Sequence, residues 1–344
     1  MKNMHVKPAR RAAAVLTAAG MISSCAVGTA DDGKDGGGKT VAYPTKGISV
    51  LAPGSPGGGW DTRARGMSQA LTQCKVIGEK ATVSNKPGAG GTIGLAEFLK
   101  HKGDAHQLVV MDTVTVLGGI AVNKSPVDLK SLTPVAGLTS SPSAVVVPKD
   151  SPYKDLKSLL ADLRKKPKSI KWTGGSLGGG DHIQAALLGK SKGVSPDKIN
   201  YVPTGGGGET VSLLLNGAAT VGISTVTELR GQIEAKALKV LAFTEKPEGQ
   251  EIKGIDAPSL AELGLEAAAV RSVGGVLAPS GLSDAQQQAV VDTVRKMRSS
   301  SCWKDVLKRN DWADAWTPGD RFGDLIQRQE GPVNKVLEEL GLVK

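Results

Sequence analysis

Short apolar runs alternate along the chain with glycine clusters and with stretches whose apolar positions recur every three to four residues. Ile48-Ser49-Val50-Leu51-Ala52 reads as a buried strand, and Pro53-Gly54-Ser55-Pro56-Gly57-Gly58-Gly59 as the loop after it. Trp60, Ala64, Met67 and Leu71 then fall on one face of a helix. The same theme returns at once: Thr82-Val83-Ser84, then Asn85-Lys86-Pro87-Gly88-Ala89-Gly90-Gly91, then a helix opened by Thr92 with Leu95, Phe98 and Leu99. Residues 108–111 and 144–147 read as strands, the second ended by Pro148, and residues 156–164 as a helix. Two more copies follow. Ile170-Lys171-Trp172 leads through the loop 173–180 to a helix starting at Asp181, and Tyr201-Val202 leads through Thr204-Gly205-Gly206-Gly207-Gly208 to a helix opened by Glu209.

Residues 221–223, 240–243 and 273–277 predict further strands, the last of the chain. Beyond them the pattern is helical. Ser283 with Gln286 has the spacing of a capping box for a helix reaching Met297. Thr317 and Pro318 are expected to begin another, with Phe322, Leu325, Ile326, Val333 and Leu337 on its buried side. Strands alternating with helices predict an α/β fold with mostly parallel sheets. A chain of 344 residues exceeds what one core usually serves, and paired glycine loops in each half suggest two α/β lobes facing one another.

The first residues have a different character. Lys2, Lys7, Arg10 and Arg11 precede an apolar run at 12–22, shorter than the ~20 residues that span a bilayer but suited to a secretory signal. The run ends in Ile22-Ser23-Ser24-Cys25, which resembles the bacterial lipobox. That resemblance implies a signal peptide over 1–24 and lipidation of Cys25; ordinary cleavage nearby is the alternative. Residues 25–46 then form a tether poor in apolar side chains. The expected location is extracytoplasmic, anchored to the outer face of the cell membrane as a lipoprotein. Without the leader the formal net charge falls from +10 to +6. Positive and negative residues are interleaved and aromatics make up only 3%, so no nucleic-acid partner is expected. Three cysteines and four histidines leave no zinc spacing and little for a metal centre, and no cofactor is expected. Cys74 and Cys302 either pair in an oxidising compartment or remain two separate buried thiols.

Each glycine loop follows a strand and precedes a helix. Unpaired N–H groups and the helix dipole favour an anion there, and glycine lets the backbone come close to it. Sharper motifs fail. Gly174-Gly175-Ser176-Leu177-Gly178 matches a nucleophile elbow, but the one later histidine, His182, comes too soon to complete a triad. Gly189-Lys190-Ser191 resembles the end of a phosphate-binding loop, with Gln184 where glycine is required. After Gly88 and Gly90 the dinucleotide pattern has Ile93 in place of its third glycine. Trp60 either walls a ligand pocket or begins its helix's apolar face. Asp61 suits a first-turn charge on the helix dipole, and His182 either caps its helix or points into the cleft.

Together, Pro56-Gly57-Gly58-Gly59-Trp60-Asp61, Asn85-Lys86-Pro87-Gly88-Ala89-Gly90-Gly91, Thr173 to His182 and Val202-Pro203 resemble the substrate-binding proteins of tripartite tricarboxylate transporters, the Bug or TctC family, over residues 47–344. The resemblance implies a two-lobed receptor of the periplasmic-binding-protein (Venus flytrap) type, and not an enzyme. Such a receptor, expected as a monomer, captures a small organic acid such as citrate or another di- or tricarboxylate and delivers it to integral-membrane permease subunits. Coupling to a sensor kinase, or an enzyme using Ser176 near His182, are the alternatives. Carried over by position, the ligand set is Gly57, Gly58, Gly59, Trp60 and Asp61, with Thr113 and Thr115, from one lobe. The other lobe supplies Thr173, Ser176, His182, Thr204, Gly205 and Ser224. Many members have an acid where Ser224 stands, so its absence implies a plain carboxylate rather than an amino-bearing ligand. The lobes are expected at 47–144 plus 274–344 and at 145–273, hinging near 145–148 and 272–276.

Overall fold

The computed structural model describes residues 41–245, 252 and 254–344. The expected leader, Cys25 and most of the tether lie outside the described residues. In chain order the elements are β1 (Ile48–Ala52), α1 (Gly59–Gln73), β2 (Ala81–Asn85), α2 (Thr92–Phe98), β3 (Gln107–Asp112), α3 (Thr113–Val122) and β4 (Thr133–Ser140). There follow β5 (Ser143–Pro148), α4 (Leu156–Lys165), β6 (Lys171–Gly174), α5 (Gly180–Lys190), β7 (Asn200–Pro203), α6 (Gly207–Leu215), β8 (Val221–Thr225), α7 (Val226–Glu234) and β9 (Leu238–Phe243). The chain ends with β10 (Val273–Ala278), α8 (Asp284–Ser299), α9 (Ser301–Arg309), β11 (Ala313–Pro318) and α10 (Asp320–Glu339).

These elements build two sheets, ordered β11-β4-β10-β3-β1-β2 and β7-β6-β8-β5-β9. The expected two-lobed α/β architecture is the one observed. Pairing is parallel within the βαβ units, as in β1 with β2 and β3 and β6 with β7 and β8. It is antiparallel where β4, β5, β9, β10 and β11 join. Strands such as β3 are apolar at consecutive positions because both sheet faces are covered. Leu108 and Val110 face a core with α1, α8 and α9, while Val109 and Met111 face one with α2, α3 and α10. The second sheet is likewise covered on both faces, with Val145 and Val147 in one core and Ala144 and Val146 in the other.

The chain passes between sheets at Ser141-Pro142, between β4 and β5, and again before β10. Residues 145–148, expected near a hinge, lie inside β5 and pair with both β8 and β9. Thr317 and Pro318 close strand β11 instead of opening a helix, because β4 offers that edge a partner; α10 starts only after Gly319. The end of the expected tether is tied down. Tyr43 donates to the Ala105 carbonyl at 2.9 Å, and Lys46 pairs with Asp104 at 3.2 Å. No helix among the described residues is long and apolar enough to cross a membrane.

Candidate functional site

A cavity of about 300 Å³ lies between the two sheets, at the low end of small-molecule sites. The loops following β1, β2, β6 and β7 all reach it, so the four glycine loops of the sequence converge on one space. The helices that follow three of these loops, α1, α5 and α6, begin at glycine with no side-chain cap, leaving first-turn N–H groups for an external partner.

Not every amide in those loops is free, because each of three helices turns an acid back onto its own loop. Asp61 accepts from Gly57 N–H at 2.8 Å, Asp181 from Gly175 N–H at 2.8 Å, and Glu209 from Gly205 N–H at 2.8 Å. Asp61 also takes the Arg65 guanidinium at 2.8 Å. Burial works to raise the Asp61 pKa, but these bonds outweigh it and hold the carboxyl below its ordinary range. Gly57 and Asp61 therefore shape the first loop, while Gly58, Gly59 and Trp60 line the cavity.

Trp60 is 9% exposed and forms a wall. Its indole N–H donates to Asp112 at 2.6 Å. The other Asp112 oxygen takes the fully buried Arg63 at 2.9 Å, and Arg63 in turn bonds Thr139 at 3.0 Å. The ring leaves no room for a Cβ at Gly91, which would sit 2.6 Å from it at a φ of +93°. That contact is one reason the second loop needs glycine.

The remaining expected residues divide. Thr115, Ser176, Thr204, Gly205 and Ser224 line the cavity; Thr113, Thr173 and His182 do not. Thr113 and Thr173 are completely buried, accepting from Val273 N–H at 3.2 Å and donating to the Val202 carbonyl at 3.0 Å. His182 stacks on Tyr201 at 4.1 Å, and its Nδ1 accepts from Gly178 N–H at 3.2 Å. Burial pushes its pKa down to about 4, so the ring is neutral at pH 7. The Ser176 hydroxyl oxygen is buried without a hydrogen-bond partner. The Ser–His contact that a hydrolase would use is not made.

Sequence reasoning missed the acids. Asp112, Asp181, Glu228 and Glu245 line the cavity, and no Lys, Arg or His does among the described residues. The carboxylate absent at position 224 is supplied one helical turn later. Glu228 accepts from Ser224 Oγ at 2.7 Å, Thr225 Oγ1 at 2.9 Å and Gly207 N–H at 3.3 Å. Burial is the main force on Asp181. Opposed by the Gly175 N–H and reinforced by the charges of Glu228 and Asp112, it pushes the pKa up to about 7. The spacing from Thr225, the N-cap of α7, to Glu228 was the available signal for the missed carboxylate.

Two α/β lobes enclosing a small cavity lined by helix N-termini and glycine loops have the architecture of a solute-binding protein. The chain belongs to the tripartite tricarboxylate transporter receptor family, whose model, TctC, matches residues 63–342. It is 27% identical over 303 residues to a UPF0065 protein from the tcbD-tcbE intergenic region of Pseudomonas sp., covering 88% of each chain. The periplasmic binding protein BugD shares the fold at a TM-score of 0.77 and 19% identity, over 88% of this chain and all of that one. MatC from Rhodopseudomonas palustris, solved with bound malate, does so at 0.73 and 21%, over 86% and 100% of the two chains.

Proposed function

We propose that this protein is an extracytoplasmic receptor that captures a small organic carboxylate and delivers it to the permease of a tripartite tricarboxylate transporter. The observation that carries the reading is the 300 Å³ cavity on which four glycine loops and three uncapped helix starts converge. One ligand carboxylate accepts from the free first-turn amides of α1, with the Ser176 hydroxyl as a further donor. The malate held by MatC supports the ligand class, with citrate and other di- and tricarboxylates as the first to try. Cleavage after residue 24 and lipidation of Cys25 would keep the receptor at the outer face of the membrane.

The lobes, 47–141 and 273–344 against 143–271, close on the ligand by bending where the chain changes sheets. A ligand shifts that equilibrium only by its differential affinity for the closed form. A thermal-shift screen of the purified protein against organic acids, with phosphate and sugar phosphates as controls, tests the reading. A ligand at 100 times its dissociation constant adds about 2.7 kcal/mol, enough to raise the melting point visibly. A rise with an organic acid that Ser176→Ala reduces supports a carboxylate receptor. A rise with phosphates alone would overturn the ligand class.

A further inference from the structure

The cavity's charge is opposite to what a bare dicarboxylate needs. Four acids line it, and of these Asp112 alone has a fixed cation, Arg63, at 2.9 Å. Asp181, Glu228 and Glu245 take part in no ion pair among the described residues. Their recorded donors are hydroxyls and backbone N–H groups. Asp181 and Glu228 come from different helices of the second lobe, α5 and α7, yet both line the one cavity, and the Glu228 charge adds to burial in raising the cost of ionising Asp181. A Cβ on Gly58, at the first lobe's anion-binding loop, would lie 3.9 Å from Glu228 Oε1. The α1 loop and the Glu228 carboxylate thus lie side by side, close enough for the adjacent charged groups of one small molecule to touch both. The first lobe offers amides of α1; the second offers the buried, unpartnered hydroxyl of Ser176 and carboxylates without a cation.

Unpaired carboxylates in a closed site are costly unless a cation meets them. A metal ion does not suit the arrangement, because among the described residues no three acids, histidines or cysteines converge closely enough to hold one. We infer that the ligand is an organic acid that also carries a protonated amino group, its carboxylate on the α1 amides and Ser176 and its ammonium between Asp181 and Glu228. The inference rests on the carboxylate-receptor reading and narrows it. It also reverses the expectation drawn from Ser224, since Glu228 restores the missing charge at that place.

Matched pairs test it: succinate against aspartate, glutarate against glutamate, adipate against 2-aminoadipate, with putrescine as an amine lacking carboxylates. Binding is read by calorimetry at pH 7.5 on the purified protein. The expected result is at least tenfold tighter binding of the amino member in the pair that fits. Glu228→Gln and Asp181→Asn, which keep the shape and one acceptor oxygen each, should each erase most of that preference while weakening the desamino acid far less. Equal or tighter binding of the desamino acids by the parent protein overturns the inference and leaves the carboxylate receptor standing. Putrescine binding with no carboxylic acid bound, or no binding by any compound, overturns both.

Discussion

Asp181 concentrates the competing demands of the site in one side chain. Its carboxyl braces the third glycine loop through Gly175 N–H, so it cannot be withdrawn from the cavity wall without loosening that loop. The charges of Glu228 and Asp112 act on it, and burial, helped by the Asp181 charge, pushes the Tyr201 hydroxyl well above its ordinary pKa. With a folded pKa of about 7 against an ordinary 3.8, it holds its proton more tightly folded than unfolded. Its contribution to stability is therefore full in acid and is lost as pH rises through about 7. His182 has the opposite sign. Its pKa of about 4 lies below the ordinary 6.5, so its contribution is present above 6.5 and lost as pH falls toward 4. Urea unfolding of the ligand-free protein and of Asp181→Asn separates the two. The difference should shift in favour of the variant between about pH 4 and 7 and then level off. A difference independent of pH would show that Asp181 ionises like an exposed carboxyl.

At the scale of elements, the first lobe is braced where its helices meet. Gly66 of α1 packs so closely on α9 that a Cβ there would fall 2.7 Å from Val306. At the end of α1 a disulfide joins Cys74 to Cys302, spanning 228 residues of sequence. Both partners belong to helices packed on the same face of the first sheet, and neither lines the cavity. Replacing both with serine should cost about 2–5 kcal/mol of stability and change ligand affinity less than about twofold. A loss of affinity with unchanged stability would mean that α9 takes part in closure. The glycine loops and their helices were legible as elements because each has strong punctuation and a regular apolar stripe. Helix α3 was not, because Thr113-Val114-Thr115-Val116 and Gly118-Gly119 are poor helix formers and its burial leaves few polar positions to mark a face.

At the scale of the whole molecule, α3 packs tightly against the opposite lobe. A Cβ on Gly118 would lie 1.9 Å from the Gly178 carbonyl oxygen of the opposite lobe, and Gly180 N–H donates to Thr115 Oγ1 at 3.4 Å. Further ties cross between lobes at Thr227 with the Asn310 carbonyl at 2.7 Å, Arg230 with Asp311, and Lys190 with Glu339 at 2.7 Å. Gly118→Ala should favour the helix itself by about 1 kcal/mol while forcing α3 away from the facing loop. The expected outcome is a ligand-free melting point that is not lowered, together with at least tenfold weaker ligand binding. Unchanged affinity would show that closure does not need this contact.

The sequence by itself determined the class of fold, the order of the strand–loop–helix units and the positions of the glycine loops that line the cavity. These follow from local periodicity and turn chemistry, which act over a few residues. It also carried the family resemblance, since the motifs keep their order and spacing. Only the tertiary structure decided which side chains face the cavity. Thr173, in β6, and His182, in α5, flank the right loop yet turn into packing, Thr173 onto the Val202 carbonyl and His182 onto Tyr201. Along the chain Asp181 reads as a helix start, and nothing local marks Asp112, Glu228 or Glu245 as lining a cavity. Their meeting in one space depends on two sheets brought face to face, a long-range arrangement that no short window of sequence contains.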